Sequence, residues 1–147
     1  MELAEQRRLP LKIKSRIALV GLDSARGAIG LDAESVIAMK DSGQLKCVFN
    51  VACNPDDARR QELRFFVPEL IAHTHETPFP FSIDEVIADI LGAREMLRRS
   101  ELEIEWIISH VHVMRLIRDG HLQETGNRLL RSTVENFLRK RWIGGAQ

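Results

Sequence analysis

Apolar residues recur along the chain in two rhythms, and their alternation sets the expected order of elements. Residues 11–20 (LKIKSRIALV) alternate apolar and basic positions before turning wholly apolar, which suits an initial strand or extended arm. Asp23 or Ser24 is then placed to cap a short helix with an apolar face at Ala25, Ala28 and Ile29, ended by Gly30. Asp32 caps a second helix carrying Val36, Ile37 and Met39 at helical spacing, and Gly43 supplies the left-handed residue at which it stops. KCVFNVA and ELRFFV read as two strands joined through the loop NPDDARRQ. Pro68 then opens a short helix over residues 69–72, because a proline's missing amide costs nothing in a first helical turn.

HTHETPFPF breaks regular structure, with Pro78 and Pro80 marking a linker. Beyond it, Ser82 and Glu85 form a capping box, and the stripe Ile83, Val86, Ile87, Ile90, Leu91 and Leu97 predicts one core-facing helix that Gly92 weakens. A second box, Ser100 with Glu103, predicts a helix through Ile104, Ile107 and Ile108, after which Ser109 caps a helix ending at Gly120. QETGNRLLR offers a hairpin around Gly126 and Asn127, and a third box, Ser132 with Glu135, opens a last helix carrying Val134, Phe137 and Leu138.

The pattern repeats. A shift of 77 residues carries Val36 onto Val113, Ile37 onto Met114, Met39 onto Leu116, Gly43 onto Gly120 and Leu45 onto Leu122 without gaps, and the cap Asp32 onto the cap Ser109. Identities are few, but the order short helix, helix to Gly-x-Leu, hairpin, short helix occurs in both halves. The expected fold class is therefore mainly α with small β-hairpins, an α+β chain of two tandem units, the first over residues 1–76 and the second over residues 77–147.

Composition narrows the function classes. At 147 residues and 44% hydrophobic content the chain is long enough to bury a core. Its 21 basic and 21 acidic residues cancel, so no overall field selects nucleic acid, membrane or acidic partners, and any preference must arise from local charge separation. The longest apolar runs are far too short to span a bilayer, and the first residues lack a secretory pattern, which points to a cytoplasmic protein with no membrane partner. Cys47 and Cys53 read as small reduced core residues; joining them with His73 and His75 as zinc ligands gives a spacing unlike the usual close-paired knuckles, so no metal or cofactor is expected. No nucleophile elbow, phosphate loop, HExxH or dinucleotide fingerprint is present, and Asp84, Glu85 and Asp89 look like helix-start charges, so the chain reads as non-enzymatic.

Val113, Leu116, Ile117, Gly120 and Leu122, followed by a hairpin and by Ser132, Phe137 and Leu138, form Val-x-x-Leu-Ile-x-x-Gly-x-Leu with a closing Ser-x-x-x-x-Phe-Leu helix. This pattern resembles the excisionase and MerR-type winged helix-turn-helix family. In the first half Gly30 and Leu31 match the turn, while Val36, Met39, Gly43 and Leu45 match the second helix. The second half departs from the family where Ile107 replaces the turn glycine and Trp106 a smaller aliphatic residue. Taking residues 82–92 as the first helix instead would interrupt the turn with an insertion over residues 93–108, and the ungapped match is preferred.

The resemblance implies double-stranded DNA as partner, read by the second helix of each pair and clasped by the hairpin wing. The reading helices would span residues 32–41 and 109–119, with Ser109, His110, His112, Arg115 and Arg118 contributing donors and charge in the second unit, and Arg128 and Arg131 holding phosphates from its wing. Asp32 and Glu34 would meet phosphates badly in the first unit, leaving Arg59 and Arg60 on its wing as the contacts there. Arg94, Arg98, Arg99, Arg139, Lys140 and Arg141 extend a basic grouping unless Glu95, Glu101, Glu103 and Glu105 neutralise it. The implied function is an excisionase-like accessory factor of recombination or a small transcription regulator. The alternative is an interaction module docking a recombinase, another regulator or a second copy as a homodimer.

Overall fold

The computed structural model describes residues 18–143, so the arm expected over residues 11–20 lies outside the described residues except for its last three positions. The first half runs β1 (Leu19–Val20), α1 (Leu22–Ile29), α2 (Ala33–Ser42), β2 (Val48–Asn50), β3 (Leu63–Phe66) and α3 (Val67–Thr74). β3 lies in the middle and pairs antiparallel with both neighbours, Phe66 opposite Leu19 and Phe65 opposite Val48. Asp32 caps α2 as expected, its carboxylate accepting from the Ser35 amide at 2.8 Å. Gly43 closes the helix in the left-handed region at φ 87°. α1 begins earlier than its predicted cap: Gly21 precedes it, and Asp23 sits inside the first turn, where its charge favours the positive helix end without capping it.

The second half runs α4 (Ile83–Leu91), β4 (Met96–Arg98), α5 (Arg99–Glu105), α6 (His110–Arg118), β5 (Glu124–Thr125), β6 (Arg128–Leu130) and α7 (Arg131–Arg141). The Ser82–Glu85 capping box forms. The long helix predicted beyond it does not: α4 stops at Leu91 because Gly92 takes φ 62° and ψ −148°, a conformation open essentially to glycine alone, and Leu97 is a strand residue in β4. The two later boxes also shift. α5 starts before Ser100, with the Glu101 carboxylate accepting from the Arg98 amide at 2.8 Å, and it ends at Glu105, leaving Ile107 and Ile108 in the following turn. α7 starts at Arg131 straight out of β6, so Ser132 lies within its first turn and caps nothing.

The chain is thus α+β, largely helical, with two small three-stranded antiparallel sheets of the same strand order, β1-β3-β2 and β4-β6-β5. The shift of 77 residues carries Leu19 onto Met96, and each residue pairs with the end of its central strand, Phe66 or Leu130. What differs is the connection inside the hairpin. Residues 51–62 loop out between β2 and β3, whereas Gly126 and Asn127 alone turn β5 into β6.

The first sheet is buried on both sides, which explains why β2 and β3 carry no alternation of apolar and polar residues. Val20, Val48 and Phe65 point to a core with Ala25 from α1, Val36 and Met39 from α2, Leu45 from the turn after it and Leu70 from α3. Their neighbours Leu19, Phe49 and Phe66 point the opposite way, into a second core built from α4, α5, α6 and α7. One apolar core therefore crosses the boundary placed between residues 76 and 77.

Polar contacts close the same seam. Arg64, buried on β3, donates from Nε to the Trp106 carbonyl at 2.6 Å and from Nη2 to the Ile107 carbonyl at 2.8 Å. Arg141 lies over the Phe137 ring at 4.4 Å and donates to the carbonyls of Asn50 and Ala52. Trp142 pairs with Phe49, and its indole N–H reaches the Lys46 carbonyl at 2.7 Å, so the end of α7 extends the β2 edge. Among the described residues no helix is long and apolar enough to cross a membrane.

Candidate functional site

α6 turns Val113 and Leu116 into the core, and that spacing leaves His110, Val111, Arg115 and Arg118 on its outer face. Ser109 caps the helix, its hydroxyl accepting from the His112 amide at 3.1 Å. Ser109→Ala is expected to lower unfolding free energy by about 1 kcal/mol, read from urea denaturation, and an unchanged midpoint would remove the cap from the account.

His112, one of the expected groove residues, faces the seam instead. Its Nε2 lies 2.6 Å from the Val51 carbonyl, which only accepts, so this nitrogen carries the proton and the ring is held by the first half. His110 points outward, with Nδ1 3.1 Å from a Glu103 carboxylate oxygen, and Arg118 contacts Asp119 at 3.1 Å.

The loop over residues 51–62 closes against the start of α6 and forms a cleft of roughly 290 Å³. Ser109, Val111, His112 and Arg115 line one wall, and Cys53, Asn54, Asp57, Arg60 and Glu62 line the other. Burial pushes the Cys53 thiol up, and the neighbouring Arg115 guanidinium opposes that shift. Asp57 shapes the loop by accepting from the Arg59 amide at 3.0 Å, and it lies 3.6 Å from Arg60 and 3.9 Å from Arg59, whose guanidinia remain largely in solvent. Four of the nine sequence-derived positions, Ser109, His112, Arg115 and Arg60, are thereby brought to one place, although no feature of the sequence joined a first-half loop to a second-half helix.

The remaining basic residues divide sharply. Arg128 is exposed on β6, opposite Arg98 in register. Arg131 is held at the start of α7: it donates to the carbonyls of Gly92 and Arg94, both at 2.6 Å, and to Glu135 at 2.8 Å. Arg94 makes two bonds to Glu105 at 2.7 and 2.9 Å, Arg99 meets Glu124 at 2.6 Å, Arg139 meets Asp84, and Arg141 is buried. Arg94, Arg99, Arg131 and Arg139 of the wider basic grouping are thus paired with carboxylates, and Glu124, Glu135 and Asp84 do as much of this as the glutamates nearer in sequence.

An apolar feature accompanies the arginines. Ile104, Ile107 and Val111 are 65%, 51% and 64% exposed along the turn between α5 and α6. Ile107 holds φ 57°, a left-handed conformation that costs a β-branched residue about 1–2 kcal/mol. The aligned residue of the first half is Gly30, at φ 83°. Arg64, which no motif in the sequence singles out, holds the carbonyl of this strained residue from the other half.

The four residues weighed as zinc ligands do not converge. Cys47 is buried with its thiol pushed up to about 12 by burial and the nearby Glu69, while His73 and His75 lie exposed at the end of α3. Among the described residues no three His, Cys, Asp or Glu side chains form a metal-binding group. In comparisons with known proteins, no family model, no curated protein and no solved structure matches the chain.

Proposed function

We propose that the chain is a non-enzymatic, sequence-selective binder of double-stranded DNA, built from two tandem winged helix-turn-helix units and acting as an excisionase-like recombination accessory factor or a small transcription regulator. The observation that carries this reading is the outer face of α6, where Arg115 and Arg118 stand exposed on the second helix of a helix pair and Arg60 joins Arg115 across the cleft. In this reading Arg115 probes base edges, Arg118 and Arg128 hold phosphates, and Arg59 and Arg60 add a backbone clasp from the first half. His112 and Arg131 position the face rather than touch DNA, since their side chains are committed to protein carbonyls. α2 turns Asp32, Glu34 and Asp41 outward, so the first half contributes its loop and not a reading helix.

Binding to a pool of random duplexes at low and moderate salt, with sequencing of the retained fraction, tests this. A single short half-site is the expected enrichment. The double variant Arg115→Ala with Arg118→Ala is expected to weaken binding at least tenfold and to flatten the dependence of log affinity on log salt by about one unit, for the one phosphate that Arg118 no longer neutralises. No retention of any duplex by the wild type at low salt would sink the reading.

The exposed Ile104, Ile107 and Val111 favour a second reading, a protein-docking module on the same fold. Binding that survives high salt and needs no DNA would select it.

A further inference from the structure

We infer that Arg98 and Arg128 together hold a phosphate group on the open face of the second sheet. The two arginines lie directly opposite each other on β4 and β6, and both side chains are in solvent. Such a cross-strand pair brings like charges to about 4.5–5.5 Å at Cβ and destabilises the sheet that carries it. Nothing in the fold offsets this. Neither guanidinium has an ion-pair or hydrogen-bond partner among the described residues. Met96, Thr125 and Leu130, which share that face through the same register, carry no charge. Glu95 and Glu124 alternate to the other side, where Glu124 meets Arg99. Glu101 is committed to the Arg98 amide and to Arg94.

The first half shows what this position takes. Both sheets have the same strand order, and Phe66 opposite Leu19 corresponds to Leu130 opposite Met96, so Arg64 stands on β3 where Arg128 stands on β6. The shift of 77 residues puts Gly21 in the place of Arg98. Arg64 is surrounded by oxygen, from the carbonyls of Leu63, Trp106 and Ile107 and the carboxylate of Glu62. Arg128 has the same register with no layer over it, and a second guanidinium replaces the glycine beside it. Two planar forks side by side call for external oxygens that carry more than one negative charge, and a phosphate group supplies them. That phosphate has two sources. One is the backbone of DNA, which rests on the reading proposed above; the other is a free phosphate or phosphate monoester, which does not.

Titration of inorganic phosphate into the full chain in a low-salt amine buffer, followed by NMR through the arginine Nε–H signals, provides the test. The signals of Arg98 and Arg128 are expected to move together with one Kd, beyond any shift caused by sodium chloride at equal ionic strength, while that of Arg64 stays still. Arg98→Gln is expected to weaken phosphate binding at least tenfold. Before phosphate is added, the same variant is expected to raise the thermal midpoint, because it removes the like-charge pair, whereas a folding defect would lower it. A random-sequence duplex in place of phosphate separates the sources: movement of the same two signals assigns the DNA backbone, and a phosphate response without a duplex response assigns a free phosphate or monoester. Signals that phosphate moves no further than chloride does, or a wild-type phosphate Kd in Arg98→Gln, would overturn the inference. Duplex retention through Arg115 and Arg118 is read separately, so failure of the DNA reading decides only the source.

Discussion

Arg64→Met is expected to lower the unfolding free energy of the chain by about 2–4 kcal/mol, with the denaturant midpoint falling accordingly. The guanidinium is buried and bridges two backbone carbonyls of the α5–α6 turn, those of Trp106 and Ile107, while Nη1 reaches the Leu63 carbonyl at 2.9 Å. Each hydrogen bond from a charged donor contributes about 1.5–3 kcal/mol, and removing the donor strands the acceptors away from water. Part of this loss returns, because burial opposes the charge and lowers the guanidinium's pKa from its usual value, with only Glu62 acting against that. Methionine keeps most of the volume, so the effect measured is polar rather than a cavity. Arg64→Lys should recover little, since an ammonium cannot present the planar fork that spans neighbouring carbonyls. Equal urea midpoints for wild type and Arg64→Met would show that the seam does not depend on the fork.

The second large effect is expected at Trp106. It is 1% exposed and stacks on Phe137 with ring centroids 5.5 Å apart and planes 11° from parallel. Trp106→Ala should cost about 3–5 kcal/mol through reduced burial and the cavity left behind, a large share of the roughly 5–15 kcal/mol that stabilises an ordinary domain. Trp106→Phe should cost far less. Its indole N–H has no hydrogen-bond partner among the described residues, so phenylalanine removes a buried unsatisfied donor while keeping most of the ring contact. Thermal melts of the pair give the comparison, and Trp142 remains as an emission reporter in both variants. Similar losses for alanine and phenylalanine would show that the ring contact with Phe137 which phenylalanine retains is not what stabilises the core there.

How far the sequence anticipated this structure depends on the range of the interaction involved. Signals contained in one turn were legible: the caps at Asp32, Ser82 and Ser109, the glycine stops at Gly30 and Gly43, and both hairpins. The shift of 77 residues was legible because helical spacing and glycine position can agree between two segments whose side chains do not. β4 was not, since three residues with one buried leucine resemble a continued helical stripe until β6 supplies the pairing partner. The boxes at Ser100 and Ser132 misled because each following helix starts directly from a strand, and the strand's end, not the serine, fixes its first turn.

The site divides along the same line. Exposure of Arg115 and Arg118 followed from the inward spacing of Val113 and Leu116. The commitment of His112 to Val51 and of Arg131 to the carbonyls after α4 depends on contacts between residues 61 and 39 positions apart, which no local pattern encodes. Arg64 is illegible for the same reason, because an arginine in a strand reads as an outward residue until a second layer covers it.

A sheet with apolar residues on both faces also bears on how such a chain can change over time. Leu19, Phe49 and Phe66 give the first half a surface that only the second half covers. Neither half is a portable cassette: transplanted alone into another protein it would carry a wet apolar sheet or an open helical core. A substitution at the seam in one half therefore falls on side chains of the other, while the loop and the outer helical faces are free of that constraint, and there Glu34 stands in one half where Val111 stands in the other.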